Sequence, residues 1–291
     1  MEPIRRKLIE LIHYPNATWN STARAMKKEL LLEQLPESSL TGNMQTFESP
    51  LHDAPTSILQ TERISRLLLQ YAANKISIIT IFDPEYPYWL KNIYQPPWAL
   101  FAKGDLSLLQ KEPKLAVVGS RQATSYGKNA IRLLFPSLIE KGVVIVSGLA
   151  KGIDTSAHVC AMGNGGRTIA VIAGGLYHVY PEENRQLFGE MAKSQLVLSE
   201  FPPDTKPARW HFPMRNRIIS GLCKGTFIVE AKQKSGSLIT ANYAVNEGRE
   251  VFALPGSIFN PFSNGTNDFI REGAKLVTKA EDILEEMSFY K

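Results

Sequence analysis

Three short segments of this sequence carry the residue types that hold an anion. Gly119-Ser120-Arg121 combines a glycine, a hydroxyl and a guanidinium. Ser147-Gly148 leads into Lys151-Gly152, and Ser235-Gly236-Ser237 follows Lys232 and Lys234. Each set follows a β-branched apolar run and opens a helical pattern. Glycine there lets backbone approach a ligand closely, and the free N–H groups of a helix start attract negative charge. Arg121 adds a planar, permanently charged fork that matches phosphate. Gly174-Gly175 is another turn of this kind, and Arg215, Asn216 and Arg217 follow Pro213 early in a helix, where they are either surface charge or donors near the helix start. The chemistry implied is the binding of a phosphate-bearing anion.

Three titratable residues lie among these turns. Asp154, His158 and Glu230 could do acid–base work, and all three could equally be structural support. Asp154 reads as an N-cap for a helix over 155–162, and His158 as a satisfied core or capping histidine. Tyr177, Tyr180, Trp210 and Phe212 could stack on bases or simply pack. No GxGxxG follows the first strand of the domain, and GxxxxGK[ST], GxSxG and HExxH are absent. The two cysteines, Cys160 and Cys223, are far apart and lack CxxC or histidine spacing, so neither a metal site nor a disulfide is expected. The sequence describes a binding edge without a catalytic engine and with no cofactor.

The elements that must position this edge are legible from residue 76 onward. Apolar β-branched runs occur at 76–81, 114–119, 143–148, 168–175, 195–200, 225–231 and 249–256, with amphipathic segments between most of them. Strands apolar on both sides, alternating with helices, predict a mostly parallel sheet covered on both faces. Right-handed crossovers make that an α/β, Rossmann-like, doubly wound domain over 76–287. Residues 1–75 predict a small helical module, with helices near 4–14, 22–35 and 61–74 and a Ser/Pro-rich loop at 36–60.

Composition sets the outer bounds. Of 291 residues, 44% are hydrophobic and 21% charged, as in an ordinary globular protein. The net charge of +5 is spread along the chain, with no basic tail, so a polyanion site must be assembled by folding. The N-terminus lacks a signal-peptide apolar region and no run is long enough to span a membrane, which points to the cytoplasm.

Longer motifs then add what single residues cannot. VGSR (118–121), SGLAKGIDTSAH (147–158), TIAVIAGGLYHVYPEEN (168–184), LSEFPP (198–203), HFPMRNRIISGL (211–222), VEAKQKSGSLITA (229–241), GREVFALPGS (248–257) and SNGTNDFIREGAKLV (263–277) occur in this order. Upstream stand YPYWL (86–90) and PPWALFAKG (96–104). Together they closely resemble the DprA (DNA-processing, Smf-like) family over roughly residues 76–286. The N-terminal helices look like that family's small sterile-alpha-motif-like (SAM-like) module.

The resemblance implies a protein that binds and protects single-stranded DNA entering during natural transformation and helps load the RecA recombinase onto it. A single-strand-binding protein is a further candidate partner. It also implies a homodimer, for which Val245, Phe269, Ile270 and Leu276 supply apolar side chains. The phosphate pocket would comprise Gly119, Ser120, Arg121, Ser147, Gly148, Lys151, Gly152, Gly174, Gly175, Asn216, Arg217, Ser235, Gly236 and Ser237. One departure is Glu182, where some relatives carry a DNA-holding lysine; Arg185, Lys206 or Arg209 would compensate. The chain also ends soon after a helix at 279–287, leaving no room for the winged-helix-like domain some relatives add.

Two other readings compete. A nucleotide hydrolase or phosphoribosyl-handling enzyme could use the same cradle with Asp154, His158 and Glu230. No PGGxGT loop supports it, and the nearest approach, Gly163-Asn164-Gly165-Gly166, precedes a strand rather than following one. In the second, a protein-interaction adaptor would place the function in the N-terminal helices.

Overall fold

All seven β-branched runs become strands, because each is apolar on both sides and bounded by turn residues. The computed structural model describes residues 3–14, 17–29 and 58–288. The chain begins with helices α1 (Pro3–Ile12), α2 (Trp19–Glu29) and α3 (Ile58–Ala73). There follow β1 (Ser77–Thr80), the single turn α4 (Tyr88–Lys91), β2 (Ala99–Gly104) and β3 (Lys114–Val118). Strand and helix then alternate: α5 (Ser125–Glu140), β4 (Val144–Ser147), α6 (Ile153–Gly163), β5 (Thr168–Val171), α7 (Arg185–Ser194) and β6 (Leu196–Ser199). The last third contains α8 (His211–Gly221), β7 (Gly225–Ile228), α9 (Gly236–Asn246), β8 (Glu250–Ala253), α10 (Asn264–Arg271), β9 (Lys275–Leu276) and α11 (Glu281–Ser288).

The strands form one sheet in the order β1-β2-β6-β5-β4-β3-β7-β8-β9. From β6 to β9 every pairing is parallel, and β2 runs antiparallel to both β1 and β6. The chain moves outward from β3 through β4, β5 and β6, then returns to the other side of β3 for β7, β8 and β9. This reversal makes the crevice beside β3 the topological switch point, where open α/β sheets bind ligands. Two strands escape the sequence reading. β2 is built from Ala-Leu-Phe-Ala-Lys-Gly without a β-branched residue, and β9 is only two residues long.

Alternate side chains of each strand serve opposite layers. Ala116, Val146, Val171 and Ile228 face α8 and α9, packing with Ile218, Ile219, Ala241 and Ala244. Leu115, Val117, Ile145 and Phe227 face α5, α6 and α11, packing with Ile131, Phe135, Ala157 and Ile283. A third cluster joins Tyr71 of α3 and Met191 of α7 to Phe101, Ala170 and Val197.

The N-terminal helices share this core. Leu8, Trp19 and Met26 belong to the same apolar cluster as Ile79, Trp98 and Leu100. The Trp19 and Trp98 rings stack at 5.3 Å, Trp19 Nε1 donates to the Pro96 carbonyl (2.7 Å), and Trp98 Nε1 donates to the Trp19 carbonyl (3.2 Å). Arg5 binds both Asp83 carboxylate oxygens and the Ile78 carbonyl. Residues 58–60 form the first turn of α3, while the rest of the Ser/Pro-rich stretch expected at 36–60 lies outside the described residues. Among the described residues no helix is long and apolar enough to cross a membrane.

Candidate functional site

A cleft of about 450 Å³ opens at the carboxyl ends of β3 and β7. Its walls come from three of the predicted segments: Gly119, Ser120 and Arg121 after β3, Asn216 on α8, and Ser235, Gly236 and Ser237 at the start of α9. Asp154 and Arg215 form part of its floor. The sheet therefore gathers residues that are far apart in sequence.

The helix starts around the cleft differ in how they are satisfied. Thr124 caps α5, its hydroxyl accepting from Tyr126 N. At α9, Ser235 holds the cap position without a side-chain cap bond, and its Oγ pairs instead with Ser237 Oγ at 2.7 Å. The first-turn N–H groups of a helix have no intrahelical acceptor, so the start of α9 presents donors and the positive end of a dipole to the cleft. Asn216 Nδ2 ties α8 to this start by donating to the Gly236 carbonyl (3.2 Å).

Arg121 is exposed, and among the described residues no carboxylate pairs with it. Its guanidinium lies 5.5 Å from the centroid of the Phe212 ring, a cation–π contact that positions it without neutralising it. Ser120 plays a more structural part: its N–H donates to the Glu230 carbonyl (2.7 Å) and its carbonyl accepts from Ile153 N (3.1 Å).

The floor holds two buried ionisable side chains. Asp154 and Arg215 are 7% and 6% exposed. Arg215 Nη1 donates to the Val171 carbonyl at 2.5 Å, while its Nε is buried without a hydrogen-bond partner. Burial raises the Asp154 carboxyl above its usual range, and the neighbouring Arg215 charge opposes that shift. Burial likewise lowers Arg215, which Asp154 opposes. Gly148 makes room for both groups: a Cβ there would stand 2.1 Å from Arg215 Nη1 and 2.4 Å from Asp154 Oδ2.

The structure corrects one local expectation, the capping role of Asp154, and places His158 in the core as one of its two structural readings had it. Asp154 is not an N-cap; α6 begins at Ile153 with Gly152 capping, and the Asp154 carboxylate accepts from Ala150 N at 3.2 Å. Gly152 has φ +80°, and a Cβ would lie 2.2 Å from the Ser120 carbonyl oxygen, so the backbones of the two loops touch. His158 is a core residue. Its Nε2 donates to the Gly148 carbonyl (2.6 Å), and its Nδ1 lies 2.7 Å from the Thr168 hydroxyl, which also reaches the Ile145 carbonyl (2.8 Å). Burial, chiefly, pushes its pKa down to about 4, so it is neutral.

Other sequence-selected residues lie away from the cleft. The Arg217 guanidinium is buried and pairs with Glu200 at 2.5 Å on the opposite side of α8. Ser147 Oγ donates to the Val117 carbonyl, linking β4 to β3. Gly174 and Gly175 are buried against Pro207, Pro202 and Pro203. Lys151 is exposed and paired with Glu183 in a neighbouring groove, where Arg185 pairs with Glu182 and Lys206 lines the wall. Both Glu230 carboxylate oxygens hold Thr124, through its N–H (2.9 Å) and its hydroxyl (2.5 Å). Of the apolar residues singled out, Val245 and Leu276 are exposed, Ile270 is half-buried against the core, and Phe269 is buried.

Sequence reasoning passed over Phe262, and it singled out neither Arg215 nor Lys232 as a contact although it noted both beside the candidate turns; all three line the cleft. The helical period of α8 carried the signal: Phe212, Arg215, Asn216 and Ile219 recur at the spacing of one helix face, and all four line the cleft. Arg217 falls on the other face. Tyr180, Phe212 and Trp210 form an aromatic flank, with Tyr180 and Phe212 edge to face at 5.7 Å and Tyr180 and Trp210 more than half exposed.

Comparison with known proteins shows the family. The family described as DNA recombination-mediator protein A matches residues 77–288. The DNA processing protein DprA of Bacillus subtilis (strain 168) is 53% identical over 225 residues, covering 77% of this chain and 76% of that protein. Its counterpart in Streptococcus pneumoniae R6 is 51% identical over 215 residues, covering 74% and 76%. The X-ray structure of the Streptococcus pneumoniae protein superposes with a TM-score of 0.76 at 40% identity, covering 99% of this chain and 98% of that one. The Helicobacter pylori protein, whose structure is described for its single-stranded DNA binding mode, superposes at 0.67 with 30% identity, covering 74% and 96%. With its switch-point cleft, nine-stranded sheet and extended sequence identity, the chain belongs to the DNA recombination-mediator protein A family.

Proposed function

We propose that this protein binds single-stranded DNA through the cleft beside β3, protects the strand during natural transformation and delivers it to the RecA recombinase, without catalysis. The observation that carries the reading is the pairing of an unneutralised Arg121 with the open start of α9 across one cleft. A fixed guanidinium, helix N–H donors and Lys232 follow a phosphate backbone without reading base sequence. The aromatic flank of Tyr180, Phe212 and Trp210 offers rings on which bases stack. The Helicobacter pylori relative is described as binding single-stranded DNA, which supports the same ligand here.

The acid–base candidates of the enzyme reading are otherwise engaged: Glu230 on Thr124, neutral His158 on Gly148 and Thr168, and Asp154 beside Arg215. Binding alone is therefore the activity proposed. A homodimer using exposed Val245 and Leu276 completes the proposal, placing two clefts on one strand.

The test is fluorescence anisotropy of a poly-dT oligonucleotide and its duplex counterpart over a salt series. The expected result is preference for the single strand, a steep salt slope and weaker binding by Arg121→Ala. No binding of single-stranded DNA at low salt would overturn the reading. Sedimentation at micromolar concentration tests the dimer, and a species of monomer mass only would remove it.

A further inference from the structure

The loop from Leu254 to Ser263, between β8 and α10, leaves its strand at the same sheet edge as the cleft. Several bonds hold it in place. The Tyr126 hydroxyl donates to the Pro255 carbonyl, Gly256 exchanges two hydrogen bonds with the Asn267 side chain, and Asn260 Oδ1 accepts from Phe262 N. Ala231 N, just after β7, donates to the Phe262 carbonyl at 2.7 Å. From this restrained loop Ile258 and Phe259 project into solvent, 77% and 90% exposed.

A lone exposed apolar residue is ordinary; the neighbourhood of this pair is what distinguishes it. Phe262 lines the cleft, and the Lys232 ammonium sits 4.5 Å over its ring. Three residues of chain reach at most roughly 11 Å, so Phe259 stands within that distance of a cleft-lining residue. Lys234, two residues after Lys232 on the β7–α9 loop, is also exposed. Cations and rings thus occur together at one sheet edge, which suits a polymer that carries both phosphates and bases.

We propose that Phe259, with Ile258 beside it, is a base-stacking platform that extends the nucleic-acid track beyond the cleft on the β8 side. This inference rests on the single-stranded DNA reading above. It places stacking surfaces on both flanks of the phosphate site, the aromatic flank of Tyr180 on one side and the Phe259 tip on the other. Stacking tolerates every base, so the platform adds affinity and not sequence preference.

The experiment measures binding of labelled poly-dT oligonucleotides of graded length to the full chain, as wild type, Arg121→Ala, Phe259→Ala and Phe259→Trp. The expected result is that Phe259→Ala binds long oligonucleotides about tenfold more weakly, the equivalent of about 1.4 kcal/mol for one stacked base. It should match wild type on the shortest oligonucleotides that bind, and Phe259→Trp should restore the long ones. Because no phosphate contact is lost, the salt slope should stay unchanged in Phe259→Ala and fall in Arg121→Ala. Wild-type binding with an unaffected Phe259→Ala at every length would overturn this inference and leave the cleft reading standing. A loss of binding accompanied by a lower mass in sedimentation would also overturn it, assigning the tip to contact between copies of the chain. Absence of single-strand binding by wild type would overturn the underlying reading instead.

Discussion

Thr124 and Glu230, 106 residues apart in sequence, share two hydrogen bonds that join the cap of α5 to the end of β7. Both donors belong to Thr124 and both acceptors to a carboxylate that is 1% exposed. Glu230→Gln should therefore destabilise the fold, because two hydrogen bonds to a carboxylate lose their charge and the Thr124 hydroxyl must turn to accept from the amide NH2. A loss of about 1–3 kcal/mol is expected in urea unfolding. A variant as stable as wild type would show that Thr124 finds another acceptor.

Gly152→Ala should disrupt the cleft more than its size suggests. The position needs φ +80°, and the added methyl would meet backbone atoms of Ser120 and Arg121. Both the strain of the left-handed conformation and the displacement of the Arg121 loop act together. Single-strand affinity is expected to fall in a variant that still melts cooperatively, as read by anisotropy and circular dichroism on the same sample.

Arg121 and Arg217 should separate cleanly into affinity and stability. Arg121→Ala is expected to cost about 1–3 kcal/mol of single-strand binding with little change in melting, since the side chain is exposed and makes a charge-assisted contact. Arg217→Met leaves Glu200 without its partner in a nearly buried position and should lower stability by about 3 kcal/mol or more. Adding Glu200→Gln should recover much of that loss. Equal effects of the two single variants on binding would contradict the assignment of Arg217 to the core side of α8.

Stability should fall on acidification below neutrality. His158 is neutral in the folded chain because burial lowers its pKa from 6.5 to about 4. Between those values the unfolded chain takes up a proton that the folded chain does not, so stability is lost as pH drops from 6.5 and the loss levels off below 4. The effect is on the order of 3 kcal/mol across the window. His13, lowered by burial, acts in the same direction, whereas the raised Asp154 carboxyl opposes it. Urea midpoints at pH 7 and 4.5 should differ for wild type, and the difference should shrink in His158→Gln.

Removing the Trp19 indole tests the integration of the N-terminal helices. Trp19→Ala deletes the Trp98 stack and the bond to the Pro96 carbonyl, and about 3–5 kcal/mol of stability should go with them. A single unfolding transition is expected, because Trp19 and the sheet share one apolar cluster. Two separate transitions would mean that the helices fold independently.

The sheet was readable because its strands are apolar throughout and its turns carry glycine and hydroxyl residues. β2 was not, since Ala99–Gly104 offers neither β-branching nor alternation and is fixed by its neighbours β1 and β6. At the site, Arg121 and Ser235–Ser237 were legible as turn residues after strands. The burial of Arg215 was not, because in sequence it reads as helix-surface charge and only its tertiary surroundings, here Asp154 and the Val171 carbonyl, reveal it. Ser147, Gly174 and Gly175 looked like ligand contacts because the same small residues that admit a phosphate also admit a neighbouring strand or proline loop.

The reversal of strand order at β3 also governs when the protein can work. One wall of the cleft is complete once α6 has been synthesised, but the other awaits β7 and α9. Until those residues leave the ribosome, β3 keeps one edge unpaired and Arg121 faces no opposing helix start. A nascent chain thus holds half a binding site, and competence arrives only with the last third of the polypeptide.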